Sequence, residues 1–528
     1  MIPAIWRVLL ALLALLSIVL GMACSGASDP AGPGTGGSAG DAGARAAPPD
    51  DAGASNLGDE AGSDAGTGDA ATAEGGSSPD AGPRPANIVL DAGGAVTSIV
   101  VTPEPLTPAF SSTIDDYYVR CSPGTNAITL TVGTASGSST VALDVVEDQA
   151  VVVMDQYWIR CLPHDFPTIT VTPYPDAGAP TPGWYLLNSG VYAVALDTNG
   201  TPVWYTRGTS VIDVDALTPN TISFMPDGTT PFGYGSTEFA IHGLGEGTVA
   251  VVTAVGSSTD DHELRLLPNG DYLLLTYPFQ SGVDLTGLQD FGAGETIPDC
   301  EIQEVDPTGR LVWSWRALDH IDPVLESIEP DTNTILGQSV VDVYHCNAID
   351  VDSSGNLLLS ARHTNAVFYI DRTSGDVVWK LGGSAYSKDG ASYVRIVGDP
   401  ETSFSLQHDA RFLPNGDISL FDDHGAGAGV ARGVEYALDH DEDVASVVWQ
   451  FLGIAASAAE GSCRRYADGE TVIGWGYNAA DARVVTEVNA AGDDVLDIAF
   501  TPNTASYRAV KVPPSQLDVS LLRSSVAQ

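Results

Sequence analysis

Three histidines stand at equivalent points of a repeated pattern, and their side chains could carry out nucleophilic and acid–base chemistry. His262, His345 and His408 lie eight, ten and eight residues ahead of a turn glycine. A neutral imidazole is a good nucleophile near pH 7, can hold a transferred group on nitrogen and can move protons. A single histidine at the start of a strand usually makes only turn or core hydrogen bonds, but three at matched positions indicate a shared site.

An arginine accompanies the histidines and favours an anionic ligand. Arg362 ends the stretch that begins at His345. A guanidinium group is unfavourable beside a divalent cation, but its planar fork can bind two oxygens of an anion. Three histidines could instead form an open zinc site, although the sequence offers no obvious acidic fourth ligand. We therefore expect an anion site with neither a metal nor a cofactor.

Other charged residues near these positions are expected to be structural. Asp409 directly follows His408, and the alternation of side chains along a strand should point it away from the site. Arg411 lies in the same strand and is assigned a structural role too. By the same alternation, His363 should point away from Arg362.

The elements that must position these residues are repeated strand pairs. Eight turn-bearing segments recur in the last two thirds of the chain: LDTNGTPVWY, LLPNGDYLLLTY, VDPTGRLVWSW, VDSSGNLLLSAR, IDRTSGDVVWKLGG, FLPNGDISLFDD, YADGETVIGWG and VNAAGDDVLDI. Repeated four-stranded sheets indicate a β-propeller. Five clear units and a weaker one near 172–250 predict six blades. Because the three histidine offsets are even, alternation should aim all three imidazoles into the central channel.

We predict an all-β protein in which a small β-sandwich domain at 93–168 precedes a six-bladed β-propeller at 169–515. The sandwich is predicted from short strands with period-2 alternation, separated by proline-rich turns. The segment LTPAFSSTIDDYYV, residues 106–119, is similar to the cadherin-like β-sandwich modules of exported bacterial proteins. Its lack of a catalytic constellation favours a spacer or packing role.

The first 92 residues read as a targeting segment and a linker. Arg7 precedes an apolar run at 8–20, and small residues lead to Cys24. This pattern predicts a signal peptide at 1–23 of the lipoprotein type, with Cys24 lipidated; simple secretion is the alternative. Residues 24–92 repeat Asp-Ala-Gly and are too poor in large apolar side chains to fold. We therefore expect export, with anchoring to the cell envelope through the lipid alone.

Cysteine usage also fits an oxidising compartment. Cys121 and Cys161 stand in similar local contexts, YYVRC and YWIRC, and we predict a disulfide between them. Cys300, Cys346 and Cys463 remain. At most two of these three can pair, and the sequence does not decide which.

The charge balance limits the possible partners. The 528 residues include 22 Lys plus Arg and 68 Asp plus Glu, for a formal net charge of −46. Such a chain repels nucleic acid and anionic membrane surfaces. An anionic substrate would therefore need local cations, such as Arg362.

Two blocks, YHCNAIDVDSSGNLLLSARHTNAVFYIDRTSGDVVWKLGG and FSLQHDARFLPNGDISLFDDH, resemble the bacterial arylsulfotransferase family in its divergent branch. The resemblance covers about 172–510. It implies a six-bladed propeller that moves a sulfuryl group from a phenolic sulfate ester to a phenol. That reaction uses no nucleotide sulfate donor and passes through a sulfohistidine. By motif, His408 would be the nucleophile, His262 and His345 would assist, and Arg362 would clamp the sulfate.

Three functions remain open from the sequence. The first is this exported sulfotransferase, with a phenolic sulfate donor and a phenolic acceptor as its partners. The second is a non-catalytic propeller lipoprotein that binds small anions in the same channel. The third is a quinone-dependent propeller dehydrogenase, which the weak tryptophan repeats and the length of the chain disfavour.

Overall fold

A computed structural model describes residues 85–88, 94–228, 233, 237–335, 337–424, 429–478, 480–502 and 505–524. The predicted signal peptide, Cys24 and most of the predicted linker lie outside these residues. None of the helices in the described ranges has the length and apolarity needed to span a bilayer.

Two facing sheets form the N-terminal part of the described chain. Its strands are β1 (Ala86–Ile88), β2 (Val96–Thr102), β3 (Asp116–Arg120), β4 (Thr125–Thr134), β5 (Gly137–Val146), β6 (Ala150–Val153) and β7 (Tyr157–Leu162). One sheet has the order β1-β6-β7-β3 and the other β2-β4-β5. Apolar side chains of both sheets, including Val119, Leu130 and Ile159, share one core, so this part is the predicted β-sandwich. Residues 86–88, which we placed in the linker, instead form β1 and pair with β6.

The next strands run from the sandwich into the first half of the propeller. They are β8 (Thr168–Pro173), β9 (Trp184–Ser189), β10 (Tyr192–Leu196), β11 (Pro202–Arg207), β12 (Ile212–Thr218), β13 (Thr221–Met225), β14 (Phe239–Gly243), β15 (Gly247–Val252), β16 (Thr259–Leu266), β17 (Tyr272–Thr276), β18 (Phe279–Asp284), β19 (Ala293–Pro298), β20 (Glu301–Val305) and β21 (Leu311–Arg316). A short helix α1 (Ala317–His320) follows, and a 3-10 turn spans Pro175–Ala177.

The remaining strands complete the ring. They are β22 (Asp331–Ile335), β23 (Gln338–Asp342), β24 (Cys346–Val351), β25 (Leu357–Ala361), β26 (Ala366–Ile370), β27 (Val377–Gly382), β28 (Ser392–Val397), β29 (His408–Phe412), β30 (Ile418–Asp422), β31 (Arg432–Asp439), β32 (Val444–Leu452), β33 (Ser462–Arg465), β34 (Thr471–Gly474), β35 (Arg483–Val488), β36 (Asp494–Thr501) and β37 (Ala509–Val512). A 3-10 turn spans Arg362–Thr364, and helix α2 is Val519–Ser524.

These strands build six four-stranded antiparallel units within the described ranges. Their orders are β11-β10-β9-β37, β12-β13-β14-β15, β16-β17-β20-β21, β24-β25-β26-β27, β29-β30-β31-β32 and β33-β34-β35-β36. We call them sheets 1 to 6. Strand β8 adds to the edge of sheet 6, and β28 joins sheets 4 and 5 at their outer edges. All eight turn-bearing segments form antiparallel hairpins.

The inner strands close a ring. Strands β37, β12, β16, β24, β29 and β33 contact one another in that order, and β33 contacts β37. Closure comes from β37, which pairs with β9 from the start of the propeller. The turn glycines after the histidine strands, Gly270, Gly355 and Gly416, have φ of 92°, 87° and 92°, a conformation that side chains disfavour. The prediction of an all-β propeller is confirmed.

One hairpin is inserted within sheet 3, between β17 and β20, and a second hairpin lies between sheets 3 and 4. Strands β18 and β19 pair with each other, as do β22 and β23, and β19 contacts β23. A disulfide joins Cys300, at the start of sheet 3's third strand, to Cys346, the first residue of β24. The predicted Cys121–Cys161 disulfide is present in the sandwich, and Cys463 is a buried free thiol. The pairing left open by the sequence is therefore Cys300 with Cys346.

Candidate active site

His408 opens the inner strand of sheet 5 and is buried at the channel. Its Nδ1 lies 2.6 Å from Oδ2 of Asp423, and its Nε2 accepts a hydrogen bond of 3.3 Å from the backbone N–H of Glu460. These contacts assign the proton to Nδ1 and the lone pair to Nε2. Burial, together with the positive charge of Arg362, holds the pKa of His408 well below its usual range. The imidazole is therefore neutral and carries its nucleophilic lone pair on Nε2.

His262 carries the opposite charge state. It lies in β16, where Nδ1 is 2.9 Å from Oδ2 of Asp260. Burial disfavours the imidazolium, but the carboxylates of Asp260 and Asp261 outweigh it and raise the pKa of His262 to about 9. Opposite carboxylates favour the charged form of a histidine in this way. At neutral pH, His262 is a proton donor beside a neutral His408.

His345 lies between the other groups of the site. It stands just before β24 with φ of 50°, and its Nδ1 is 2.6 Å from Oδ2 of Asp342. Burial lowers its pKa to about 3 although Asp342 favours the charged form. Its ring centroid is 5.2 Å from that of His262 and 4.8 Å from that of His363. His345 is accordingly a neutral member of the cluster.

Arg362 completes the set of predicted residues. Its backbone N–H donates to the carbonyl of His345 at 2.9 Å. Its side chain donates to Nε2 of His363 at 3.0 Å and to the carbonyl of Ala458 at 2.9 Å, while the buried Nε has no hydrogen-bond partner. The rings of His262 and His345 are in contact, and the positive forms of Arg362, His262 and His345 would each disfavour a charged His408, so the structure places the four predicted side chains in one cluster.

Two expectations about this cluster are wrong. His363 does not point away from Arg362, because residues 362–364 form a 3-10 turn in which strand alternation fails. Simple alternation also fails to account for the histidines, because the three inner strands have register irregularities between Thr259 and Leu264, between Cys346 and Ala348, and between His408 and Arg411. Each irregularity includes or adjoins the histidine of its strand, so strict alternation does not set the direction of these side chains.

A third expectation, that no acidic ligand accompanies the histidines, is also wrong. Each predicted histidine has a carboxylate on Nδ1, from Asp260, Asp342 or Asp423. The only signal in the sequence is that an aspartate stands two or three residues ahead of His262 and His345. Within this cluster, two groups of described residues could hold a cation, Asp260 with Asp261 and His262, and Asp342 with His345 and His363. The guanidinium of Arg362 and the protonated His262 favour an anion at the same place.

Asp409 and Arg411 have the structural role assigned to them. Asp409 is buried and accepts hydrogen bonds from Arg411 and Arg464. Arg411 also binds Glu263, which in turn binds Arg508 beside β37. This network ties inner strands of different sheets together on the downstream side of the histidines.

A cavity lies away from the histidine cluster. It measures about 830 Å³ and is lined by Tyr369, Trp379 and Phe412 between sheets 4 and 5. Its lining includes none of the four predicted residues. The chemistry that the cluster can support, with a neutral nucleophile, a cationic acid and a guanidinium group, is therefore separate from this cavity.

Comparisons with known proteins identify the family of the chain. A model of the arylsulfotransferase (ASST) family matches residues 175–508. No curated protein matches the chain.

Among solved structures, a protein of unknown function from Bacteroides caccae is 13% identical with a TM-score of 0.39, covering 63% of this chain and 99% of its own. An inactive virginiamycin B lyase from Staphylococcus aureus with quinupristin is 8% identical with a TM-score of 0.34, covering 65% and 98%. A putative 6-phosphogluconolactonase from Bacteroides fragilis is 10% identical with a TM-score of 0.33, covering 73% and 93%. These structural similarities are too weak to carry a functional argument.

Proposed function

Since the chain belongs to the arylsulfotransferase (ASST) family and is an enzyme with sulfotransferase activity, we propose that it transfers a sulfuryl group between phenols. The donor is a phenolic sulfate ester and the acceptor a phenol, and no nucleotide sulfate donor (PAPS) or other cofactor takes part. The observation that carries the proposal is the neutral, buried His408, which has its lone pair on Nε2 and whose pKa is lowered by burial and by the positive charge of Arg362.

In the first half-reaction, Nε2 of His408 attacks the sulfur of the donor. The N–S bond forms as the bond from sulfur to the phenolic oxygen breaks, and His262 gives its proton to the leaving phenolate. The sulfated imidazole gains positive charge, which Asp423 stabilises from Nδ1. The product of this step is a sulfohistidine and a free phenol.

The second half-reaction runs in reverse with the acceptor. The neutral His262 takes the proton of the acceptor phenol while its oxygen attacks sulfur, and the N–S bond breaks. This restores neutral His408 and protonated His262, so atoms and charge balance over the cycle. Positive groups stabilise the equatorial oxygens in such transfers. Arg362 serves this role through its unpaired Nε, and His345 positions the reactants beside His262.

The test is sulfuryl transfer from a chromogenic aryl sulfate in the absence of any nucleotide. Product release is expected only when a phenol acceptor is added. When the enzyme is incubated with donor alone and then quenched, the peptide that contains His408 should be heavier by one SO₃ group. His408→Ala should abolish both results, whereas His164→Ala, at an exposed histidine of the sandwich, should leave them unchanged. Full transfer by His408→Ala would exclude this assignment.

The alternative function is a non-catalytic propeller that binds small anions. One observation favours it: the segment that follows β32 already occupies the site, with the N–H of Glu460 on Nε2 of His408 and the carbonyl of Ala458 on Arg362. This alternative expects aryl sulfates to bind without turnover and His408→Ala to leave binding unchanged. The same assay therefore separates the two functions.

The proposal includes export and lipid anchoring. It rests on the pattern around Cys24 in the sequence, and the two disulfides support an oxidising compartment. Labelling with radioactive palmitate should mark the full chain and fail with Cys24→Ser. No labelling of the unmodified chain would contradict the anchor and leave simple secretion, and labelling of Cys24→Ser would contradict Cys24 as the attachment residue.

A further inference from the structure

A further cavity, lined by charged residues, lies at the end of the propeller channel opposite the histidine cluster. It measures about 340 Å³. Its walls come from the downstream ends of all six inner strands, whereas His262, His345 and His408 lie in or before their upstream halves. The inner strands run in one direction, so the cavity and the histidine cluster are at opposite mouths of the ring.

The lining of this cavity is strongly basic, in contrast to the rest of the chain. Five cationic residues line it, Arg265, Arg411, Arg464, Arg465 and Lys511, against two carboxylates, Asp215 and Asp350. The whole chain has only 22 Lys plus Arg and a net charge of −46. Such a concentration of positive charge at one place runs against the composition.

Most counter-ions of these groups lie behind the wall. Asp409 pairs with Arg411 and Arg464, and Glu263 also pairs with Arg411. Glu435 pairs with Arg465, and Glu470 and Glu487 pair with Lys511. None of these carboxylates lines the cavity. The carboxylates that hold these cationic groups in place therefore lie outside the cavity lining. The lining itself carries more positive than negative side chains.

Three of the arginines keep donors for a ligand. Arg464 uses Nε and one terminal nitrogen on Asp409, which leaves the other terminal nitrogen. Arg465 uses Nε on Glu435 and one terminal nitrogen on Thr471. Arg265 uses one terminal nitrogen on Asp350. Their side chains are 14%, 13% and 30% exposed, so the remaining N–H groups can reach the cavity.

We propose that this cavity binds a small tetrahedral oxyanion, sulfate or phosphate. Arginine forks match the oxygens of such anions and bind them through charge-assisted hydrogen bonds. Arg265 supplies donors from β16, and Arg464 and Arg465 supply them from β33, so two inner strands contribute. The site is separate from the sulfuryl site at Arg362 and does not depend on the proposed reaction.

Equilibrium dialysis of the full chain with radiolabelled sulfate or phosphate tests this proposal, with chloride keeping the ionic strength constant. The double variant Arg265→Gln, Arg465→Gln should bind either anion about tenfold more weakly or worse, as expected for lost charge-assisted bonds. Arg310→Gln, at an arginine outside the cavity whose side chain is 72% exposed, is the matched control and should bind normally.

The variant Arg362→Ala separates this site from the histidine cluster. Binding that persists in Arg362→Ala and is lost in the double variant supports the cavity site. Binding lost only in Arg362→Ala, or no saturable binding by the unmodified chain, overturns it. A crystal soaked in selenate gives an independent check that needs no variant, because its anomalous peak should lie between Arg265, Arg464 and Arg465. A peak confined to Arg362 would contradict the proposal.

Discussion

Asp423 places a carboxylate oxygen 2.6 Å from Nδ1 of His408, and this contact determines which nitrogen of the imidazole can attack. Replacing the carboxyl group by an amide should allow the wrong tautomer and weaken the hydrogen bond at Nδ1 that stabilises the sulfated ring. By analogy with aspartate-to-asparagine changes in other histidine–aspartate pairs, Asp423→Asn should lower kcat by about 10²- to 10⁴-fold. Steady-state kinetics should show little change in KM.

The control for this variant is Asp417→Asn. Asp417 lies on the turn of the same strand pair and makes hydrogen bonds with Asn415 and the turn backbone, so transfer should be unaffected. A thermal unfolding curve must accompany both variants. Undiminished kcat in a folded Asp423→Asn protein would show that Asp423 does not act on the nucleophile.

The protonated His262 should matter most for donors with poor leaving groups. An unsubstituted phenol has a pKa near that of tyrosine, about 10, and leaves more easily when it is protonated. His262→Ala should therefore reduce transfer from phenyl sulfate by about 10²-fold or more, and transfer from 4-nitrophenyl sulfate much less. Equal losses for the two donors would assign His262 to binding rather than to proton transfer. Product formation by chromatography measures both.

The pH dependence follows from the opposite pKa shifts in the cluster. Transfer from phenyl sulfate should fall as the pH rises through about 9, because His262 loses its proton there. No loss is expected on the acid side near the ordinary histidine pKa of about 6.5, because burial and Arg362 keep His408 neutral. A rate profile from pH 5 to 10 would test both limbs.

Two variants check the origin of the alkaline limb. Asp260→Asn removes the carboxylate that binds Nδ1 of His262, so the limb should move to lower pH. Glu460 also faces this group, and burial with the nearby Asp261 raises its pKa to about 7. Glu460→Gln should leave the limb near pH 9 in place. If the alkaline limb instead moves in Glu460→Gln, Glu460 rather than His262 is the titrating group.

The Cys300–Cys346 disulfide should support activity as well as stability. Cys346 directly follows His345, and the bridge ties it to sheet 3. Replacing both cysteines by serine should cost about 2 to 5 kcal/mol of unfolding free energy and also reduce transfer. The matched control is the double serine variant at Cys121 and Cys161, which should destabilise the sandwich without changing kcat. Equal kcat in both variants would contradict a link to His345.

The sequence carried enough information for the ring and for the location of the four main side chains. Turn glycines and alternating strands repeat with each hairpin, so they predict the sheets directly. His262 and His408 are also part of the repeat. His345 is found by the same comparison, although it precedes its strand with a left-handed backbone, a detail that alternation cannot predict.

The acidic partners were missed for a physical reason. Asp342 ends the inserted hairpin strand β23, and Asp423 follows β30 on the neighbouring strand of the sheet. Asp342 is only three residues ahead of His345, but their contact depends on how the chain turns between β23 and β24. The contact of Asp423 with His408 depends on the pairing of β29 with β30. His363 was misplaced because a 3-10 turn replaced the expected strand at Arg362.

The closing strand β37 determines when the histidine cluster can form during synthesis of the chain. Tyr507, just before β37, donates its hydroxyl to the carbonyl of His262 at 2.9 Å, and the adjacent Arg508 binds Glu263. These contacts exist only once β37 has paired with β9. The histidine cluster is therefore assembled after synthesis of almost the entire polypeptide, so a nascent or C-terminally truncated chain should carry every histidine and still be unable to transfer sulfate.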